Sequence, residues 1–213
     1  MNNTQSPNRR VLGRTTIRLG AISAAGVMAL GLGLTAASGA TTGASARQSP
    51  RPFTFALKAP ANVAACLPHA GGQVTITPGS QNDKMRVSVH GMPRNSGFDL
   101  FVIQTPTAPF GVSWYQTDVQ TDEDGNGHAT VRGIFDVETF SVSPGGTTTF
   151  GATHQYHLGL WFNNPDTPFN RGCEPGATAP IVTPFNGEQH AGIQALNTAQ
   201  FPVDAGPLSH VHR

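Results

Sequence analysis

The residues best suited to chemistry are carboxylates and an amide that alternate along a short segment containing two glycines. The segment reads Asp122-Glu123-Asp124-Gly125-Asn126-Gly127. Calcium takes about six to eight oxygen ligands, and oxygens on alternate residues can converge on one ion where a glycine lets the chain turn. Asp122, Asp124 and Asn126 are therefore candidate calcium ligands, with Gly127 at the turn.

This segment resembles the first half of an EF-hand calcium loop, in which the backbone carbonyl of His128 would add the next ligand. The last position of such a loop carries a bidentate glutamate, whereas this chain has Gly133 there. The competing interpretation is a hairpin turn, because Asp, Asn and Gly adopt positive φ angles at little cost. The sequence favours the turn, and a calcium site would need further ligands from Asp118 or another loop.

Histidine offers a second route to metal chemistry, since zinc and copper sites need imidazoles that converge. The eight histidines are His69, His90, His128, His154, His157, His190, His210 and His212. A spacing of three residues, as between His154 and His157, directs two side chains to opposite faces of a strand. We therefore expect scattered structural or surface histidines. The alternative is a metal-dependent hydrolase whose site is assembled from dispersed histidines and aspartates.

Two tryptophans each stand beside another aromatic residue, as Trp114-Tyr115 and Trp161-Phe162. Neighbouring residues on a strand point to opposite faces, so one member of each pair is expected in the core and the other can be exposed. Exposed aromatic rings can stack on sugars or pack against a partner. Trp114, Tyr115 and Trp161 are thus the candidate ligand-binding residues, with burial of Trp161 under a long loop as the competing interpretation.

Signatures of nucleophilic catalysis are missing from the sequence. It contains no Gly-x-Ser-x-Gly motif, and neither cysteine stands in a catalytic context. The paired carboxylates of a glycosidase would have to be brought together by the fold, and no spacing indicates such a pair. The sequence therefore leans against an enzyme and predicts no cofactor apart from the calcium considered above.

The first 46 residues predict an export signal. Arginines without any acidic residue form a basic head, an apolar stretch follows over 19–37, and small residues end the segment. These are the three parts of a secretory signal peptide. The Arg9-Arg10 pair also resembles a twin-arginine export signal, and ordinary export is the alternative. We predict cleavage after Ala40 or Ala46, and a secreted or envelope-associated product that meets a membrane only if the segment stays uncleaved.

Cys66 and Cys173 are the two cysteines of the chain. In an exported protein such a pair usually forms a disulfide. The bond would close a loop of about a hundred residues and stabilise the fold by roughly 2–5 kcal/mol. We predict this disulfide, with two free thiols as the alternative.

Charge and composition limit the partners and the fold. After the signal, the chain carries 9 Lys or Arg and 12 Asp or Glu, a net charge of −3. This balance predicts no basic patch and argues against nucleic acid as a partner. Gly, Pro, Thr and Phe are frequent, whereas Leu, Glu and Lys are scarce, which favours strands and turns over helices.

Residues 47–70 are small, polar and proline-bearing, and they predict a flexible leader with one short strand at 53–55. Residues 71–213 alternate with period two and predict a single β-domain. Residues 98–103 are apolar on both faces and indicate a central strand. Residues 163–190 form a long Pro- and Gly-rich loop, and loops of this length are often functional. Eight or so strands with regular turns predict an antiparallel β-sandwich.

Two turn motifs carry a family resemblance. Gly-Met-Pro-Arg-Asn-Ser-Gly-Phe-Asp-Leu-Phe-Val, over 91–102, places a turn before a central strand, and Thr-Asp-x-Asp-Gly-x-Gly, over 121–127, forms a hairpin. Over residues 72–162 the chain resembles secreted bacterial immunoglobulin-like domains. The resemblance implies an antiparallel immunoglobulin-like β-sandwich, and it implies no particular activity.

These observations together predict an exported, non-catalytic β-sandwich protein that binds a ligand or a surface. Its expected partner is a carbohydrate or another component of the cell envelope. Trp114, Tyr115 and Trp161 would make the contact.

Overall fold

A computed structural model describes the protein over residues 51–135, 140–142, 148–150, 154–183 and 190–211. The predicted export signal lies outside these residues. The strands are β1 (Phe53–Lys58), β2 (Gly71–Thr77), β3 (Asp83–His90), β4 (Gly97–Ile103), β5 (Ser113–Gln120), β6 (Gly127–Gly133), β7 (Phe140–Val142), β8 (Thr148–Phe150), β9 (His157–Phe162) and β10 (Gln194–Asn197). The helices are α1 (Ala61–Cys66), α2 (Asp166–Asn170) and a 3-10 turn (Pro207–His210).

Eight of the strands form one antiparallel sheet in the order β5-β4-β9-β10-β1-β2-β3-β6, and β7 pairs with β8 separately. The two edge strands, β5 and β6, contact each other, and Thr121 bridges Gly127 where the hairpin joins them. The sheet therefore curls until it nearly closes. The predicted all-β, antiparallel architecture is confirmed, while the immunoglobulin-like assignment stays a prediction.

The concave side of the curled sheet encloses the hydrophobic core. Alternate residues of each strand point inward, because side chains of a strand alternate between its two faces. On β3 these are Met85, Val87 and Val89, as the sequence predicted. The other large, fully buried core residues are Leu57, Ile76, Phe98, Leu100, Leu158, Leu160, Phe162, Leu196 and Leu208.

Strand β4 is buried on both faces, which confirms its predicted central position. Its inward residues join the main core, whereas Phe101 and Ile103 point outward into a second, smaller cluster with Trp161 and Ala191. Phe110, in the segment between β4 and β5, packs against that cluster. A layer of loops therefore covers the outer face of β4 and β9.

The domain begins earlier than the predicted boundary at residue 71. Most of the segment expected as a flexible leader, 53–66, consists of β1 and α1, and β1 pairs with β2 along its whole length. The physical reason is the alternation of Phe53, Phe55 and Leu57, which gives β1 an apolar face directed to the core.

Two further details differ from the sequence predictions. Strand β5 runs over Ser113–Gln120, later than the stretch 110–116 that its composition suggested. The long loop at 163–190 contains the short helix α2, and its residues 184–189 lie outside the described part. Within the described part, no helix has the length and apolar character needed to cross a membrane.

Candidate functional site

The predicted disulfide is present between Cys66 and Cys173. The sulfurs are 1.97 Å apart and the Cα atoms 5.2 Å apart. Asn62 reinforces the same junction, since its Nδ2 donates a hydrogen bond to the Cys173 carbonyl at 3.0 Å. These contacts fasten α1 to the chain that follows α2.

The candidate calcium segment forms the hairpin turn between β5 and β6. Asp122 Oδ1 accepts hydrogen bonds from the backbone N–H groups of Asp124 and Asn126, both at 2.9 Å. Gly125 has φ +78°, and a Cβ at this position would lie 2.1 Å from the Met92 carbonyl oxygen. The Asp122 carboxylate therefore braces a tight turn that only glycine can complete, as the competing interpretation expects.

Metal binding gains no support from the side chains that the structure describes. Among them, no group of three histidine, cysteine, aspartate or glutamate residues is placed to hold an ion. The calcium ligands proposed from sequence, Asp122, Asp124 and Asn126, thus receive no carboxylate from another described loop. His154 and His157 also lie in different environments. His154 is exposed and has a φ angle of +54°, whereas His157 is buried.

His157 has a structural role that the sequence did not indicate. Its Nε2 lies 3.1 Å from the Pro202 carbonyl oxygen and 3.0 Å from that of Val203, and because carbonyls only accept, Nε2 carries the proton. Nδ1 lies 2.9 Å from Thr198 Oγ1, which itself accepts the Leu158 N–H. Burial lowers the pKa of His157, and its backbone hydrogen bonds oppose that shift in part. The imidazole fastens the segment after β10 to the start of β9.

The three aromatic residues proposed as ligand contacts do not form one platform. Trp114 lies opposite the inward-facing Val102, whereas Tyr115 lies opposite the outward-facing Phe101, so the pair straddles β5 as predicted. Trp114 is 38% exposed and Tyr115 is 50% exposed. Trp161 is fully buried, with its ring centroid 5.5 Å from that of Phe101, so no part of its side chain is accessible to a ligand in this conformation.

Trp161 is buried, as the competing interpretation expected, but the described residues that pack against it include Phe110 and Ala191, which lie outside the long loop at 163–190. Phe110 packs edge-on against Trp161, with the two ring centroids 4.8 Å apart, and Ala191 belongs to the same cluster. The alternation along β9 placed Trp161 correctly on the outer face. Its cover comes from segments distant in sequence, which alternation cannot detect.

Tyr115 belongs to a polar group that the sequence did not reveal. Its hydroxyl donates to Asp118 Oδ1 at 2.8 Å. Asp118 lies directly opposite the buried Asp99 on β4, and Asn163 Nδ2 donates to Asp99 Oδ1 at 3.1 Å. We call Tyr115, Asp118, Asp99 and Asn163 the Tyr115 surface. The available sequence signal was Asp99 itself, a charged residue within an otherwise apolar strand.

A second polar surface covers the outward side of four strands on the other half of the sheet. We call these outward residues the cationic face. They are Thr54, Ala56 and Lys58 of β1, Gly71, Gln73, Thr75 and Thr77 of β2, Lys84, Arg86, Ser88 and His90 of β3, and His128, Thr130 and Arg132 of β6. The negative net charge predicted no basic patch, but the pairing of β3 with β6 concentrates cations locally.

Comparison with known proteins adds no relative. No protein-family model matches the chain, and no curated protein matches it significantly.

Proposed function

We propose that the protein is an exported, non-catalytic binding module, acting at the cell envelope or outside the cell, that holds a carbohydrate on the Tyr115 surface. The observation that carries this proposal is a half-exposed aromatic ring held in a fixed orientation beside hydrogen-bonding groups. The immunoglobulin-like assignment belongs to the same proposal. Its support is that both turn motifs lie where the resemblance requires them, before β4 and between β5 and β6.

The Tyr115 ring is fixed from two sides. Its hydroxyl is held by Asp118, and its ring packs edge-on against Phe101 with centroids 5.7 Å apart. Half of the side chain nevertheless remains exposed to solvent. A ring that is already ordered loses little conformational entropy when a ligand stacks on it, which favours binding. Tyrosine also combines an apolar face with a polar end, which suits a ligand that has both characters.

Polar groups continue from the hydroxyl end of this ring, through Asp118 and Asp99 to Asn163. Asp118 and Asn163 are exposed, and both already take part in hydrogen bonds that orient them. A carboxylate has lone pairs beyond those used by one donor, and an amide offers both donors and acceptors. Sugar hydroxyl groups donate and accept in the same way. An oriented ring with a few convergent polar groups is the usual composition of a small-ligand site.

Export is supported by the disulfide, since such bonds persist in oxidising compartments. The non-catalytic character rests on the sequence, which carries no recognised catalytic motif. Trp114 lies on the opposite face of β5 from Tyr115, so the proposal assigns it no part in this site.

The test is a pull-down of the purified protein with insoluble cellulose, chitin and cell-wall preparations. It is performed in 0.5 M NaCl, roughly the range in which exposed ionic contacts are strongly screened. We expect Tyr115→Ala to weaken retention about fivefold or more, the loss typical of a central aromatic contact. Tyr115→Phe keeps the ring and should retain most of the binding.

Trp114→Ala is the matched control, because it removes the other exposed aromatic residue of β5, which lies on the opposite face of the strand. It should leave retention unchanged. Failure of the wild-type protein to bind any of these materials, or equal retention of the Tyr115→Ala variant, would contradict the proposal.

A further inference from the structure

The cationic face segregates charge more strongly than the composition of the chain requires. The described residues include seven Lys or Arg and nine Asp or Glu, a net charge of −2. Four of the seven cations lie on this face, namely Lys58, Lys84, Arg86 and Arg132. None of the outward residues of its four strands carries a carboxylate. A negatively charged domain therefore presents one surface of opposite sign.

Three of these cations are neighbours. Lys84 lies directly opposite Arg132 in the pairing of β3 with β6, and Arg86 follows two residues along β3 on the same face. Directly opposite side chains on antiparallel strands are about 5 Å apart at Cβ, and residues two apart on a strand about 7 Å. Like charges in such positions repel each other. No described residue forms an ion pair with any of the three, so the repulsion is not relieved within the described domain.

A shallow cavity lies beside these cations. Its volume is about 440 Å³, and the side chains of Gln73, Thr75, Arg86, Ser88, His128 and Thr130 line it. The size is within the range of roughly 300–1,000 Å³ that is common for small-molecule sites. Val87 and Ala129 complete the lining, and its polar groups besides the arginine are hydroxyl, amide and imidazole groups. Such groups hydrogen-bond to the hydroxyls of a ligand, whereas the cations attract its negative groups.

We propose that the cationic face binds an anionic polysaccharide, a glycan that carries carboxylate or sulfate groups. The guanidinium groups of Arg86 and Arg132 and the ammonium of Lys84 pair with the acidic groups of the glycan. The cavity next to Arg86 receives a sugar ring, whose hydroxyls meet Gln73 and Ser88. This site is separate from the Tyr115 surface and does not depend on it.

Two other polyanions fit the face less well. Single-stranded nucleic acids are held by aromatic rings on which bases stack, and apart from imidazoles the outward residues of this face include no aromatic ring. Anionic membranes are bound by surfaces that also insert apolar side chains, and the sole apolar side chain pointing outward from these four strands is that of Ala56. A hydroxyl-rich polyanion is the ligand class that matches both the charge and the lining.

The test measures binding of the purified protein to heparin and to polygalacturonate, with dextran as the neutral probe. The site variant is Lys84→Gln combined with Arg86→Gln and Arg132→Gln. We expect it to weaken binding about tenfold or more, since each exposed ionic contact contributes up to about a fivefold change. Binding of the wild-type protein should fall as NaCl is raised, because salt screens exposed charges.

The control variant removes three exposed cations elsewhere, Arg51→Gln with Arg94→Gln and Arg171→Gln, so that the net charge is identical. It should bind both polyanions nearly as tightly as wild type. A second control exchanges Lys and Arg at 84, 86 and 132, and it should retain binding because the charge is preserved.

Three outcomes would overturn the proposal. One is equal weakening in the site variant and the charge-matched control, which would make net charge the cause. Another is failure of the wild-type protein to bind either polyanion. The third is tighter binding to a single-stranded oligonucleotide or to phosphatidylglycerol vesicles than to the glycans. Binding through the Tyr115 surface is measured in 0.5 M NaCl, so the two proposals can fail separately.

Discussion

Replacement of His157 by leucine should make the protein less stable at neutral pH, and this loss should shrink in acid. The buried imidazole is held by Thr198 and by the carbonyls of Pro202 and Val203, and burial lowers its pKa. Between the folded pKa and about 6.5, the reference value for the unfolded chain, only the unfolded state takes up the proton. The free energy of unfolding therefore rises with pH in this window. The contribution of neutral His157 is present above about pH 6.5 and is lost as the pH falls through the folded pKa.

The size of the effect follows from the groups that lose partners. Leucine has nearly the same bulk but leaves the Thr198 hydroxyl and two carbonyls without the imidazole. An unsatisfied buried polar group costs about 1–3 kcal/mol, although solvent can reach part of the segment near Val203, which is 55% exposed. We therefore expect a loss of about 2–5 kcal/mol at pH 7.5. The difference between wild type and variant should then narrow by at most about 1.4 kcal/mol per pH unit below 6.5.

The assay is urea unfolding at pH values from 5 to 8, followed by tryptophan fluorescence, since Trp161 is fully buried. His69→Gln is the control, because His69 is exposed, and its stability should stay within about 0.5 kcal/mol of wild type at every pH. A difference between wild type and His157→Leu that is constant across this range, or that grows in acid, would refute the assignment of a neutral, buried imidazole.

Three other changes have expected outcomes. Gly159→Ala should lower the free energy of unfolding, measured by urea titration, by about 1–3 kcal/mol. The reason is that its Cβ would lie 2.3 Å from the buried Trp161 ring, which cannot move aside. Opening the Cys66–Cys173 bridge by Cys173→Ser should cost about 2–5 kcal/mol, measured by thermal unfolding with and without reductant, because the bond spans 107 residues; equal melting temperatures would contradict this. Lys84→Gln should raise stability by about 0.2–1 kcal/mol, since it removes repulsion from the arginine opposite, and a lower urea midpoint would show that no such repulsion exists.

Local patterns in the sequence were enough to predict much of the sheet. Alternation identified the inward residues of β3, and the two-sided apolar pattern of β4 indicated its central position. The same rule applied to β1 would have found Phe53, Phe55 and Leu57, but the proline-rich composition around them suggested a leader. Period-two packing therefore outweighed composition at the start of the domain.

Tyr115 was a candidate from the sequence, but the polar groups beside it and the cationic face could not be predicted, because they depend on which strands are neighbours. Asp99 lies opposite Asp118, and Lys84 lies opposite Arg132. To predict these pairs one would have to know the register between strands that are separated in sequence by turns or by whole elements. Alternation states on which face a side chain lies but not what lies opposite it. The burial of His157 by residues 198–203 is non-local in the same way.

The position of β10 has a consequence for how the chain matures. This four-residue strand lies between β9 and β1, and it contacts β1 through one register pair, Lys58 with Asn197. Until it emerges from the ribosome, β1 and β9 each keep an open edge, and open edges invite pairing with other chains. A translation product that stops before residue 194 would therefore keep the edges of β1 and β9 unpaired and prone to aggregate, although the hairpin between β5 and β6 would still join its two half-sheets.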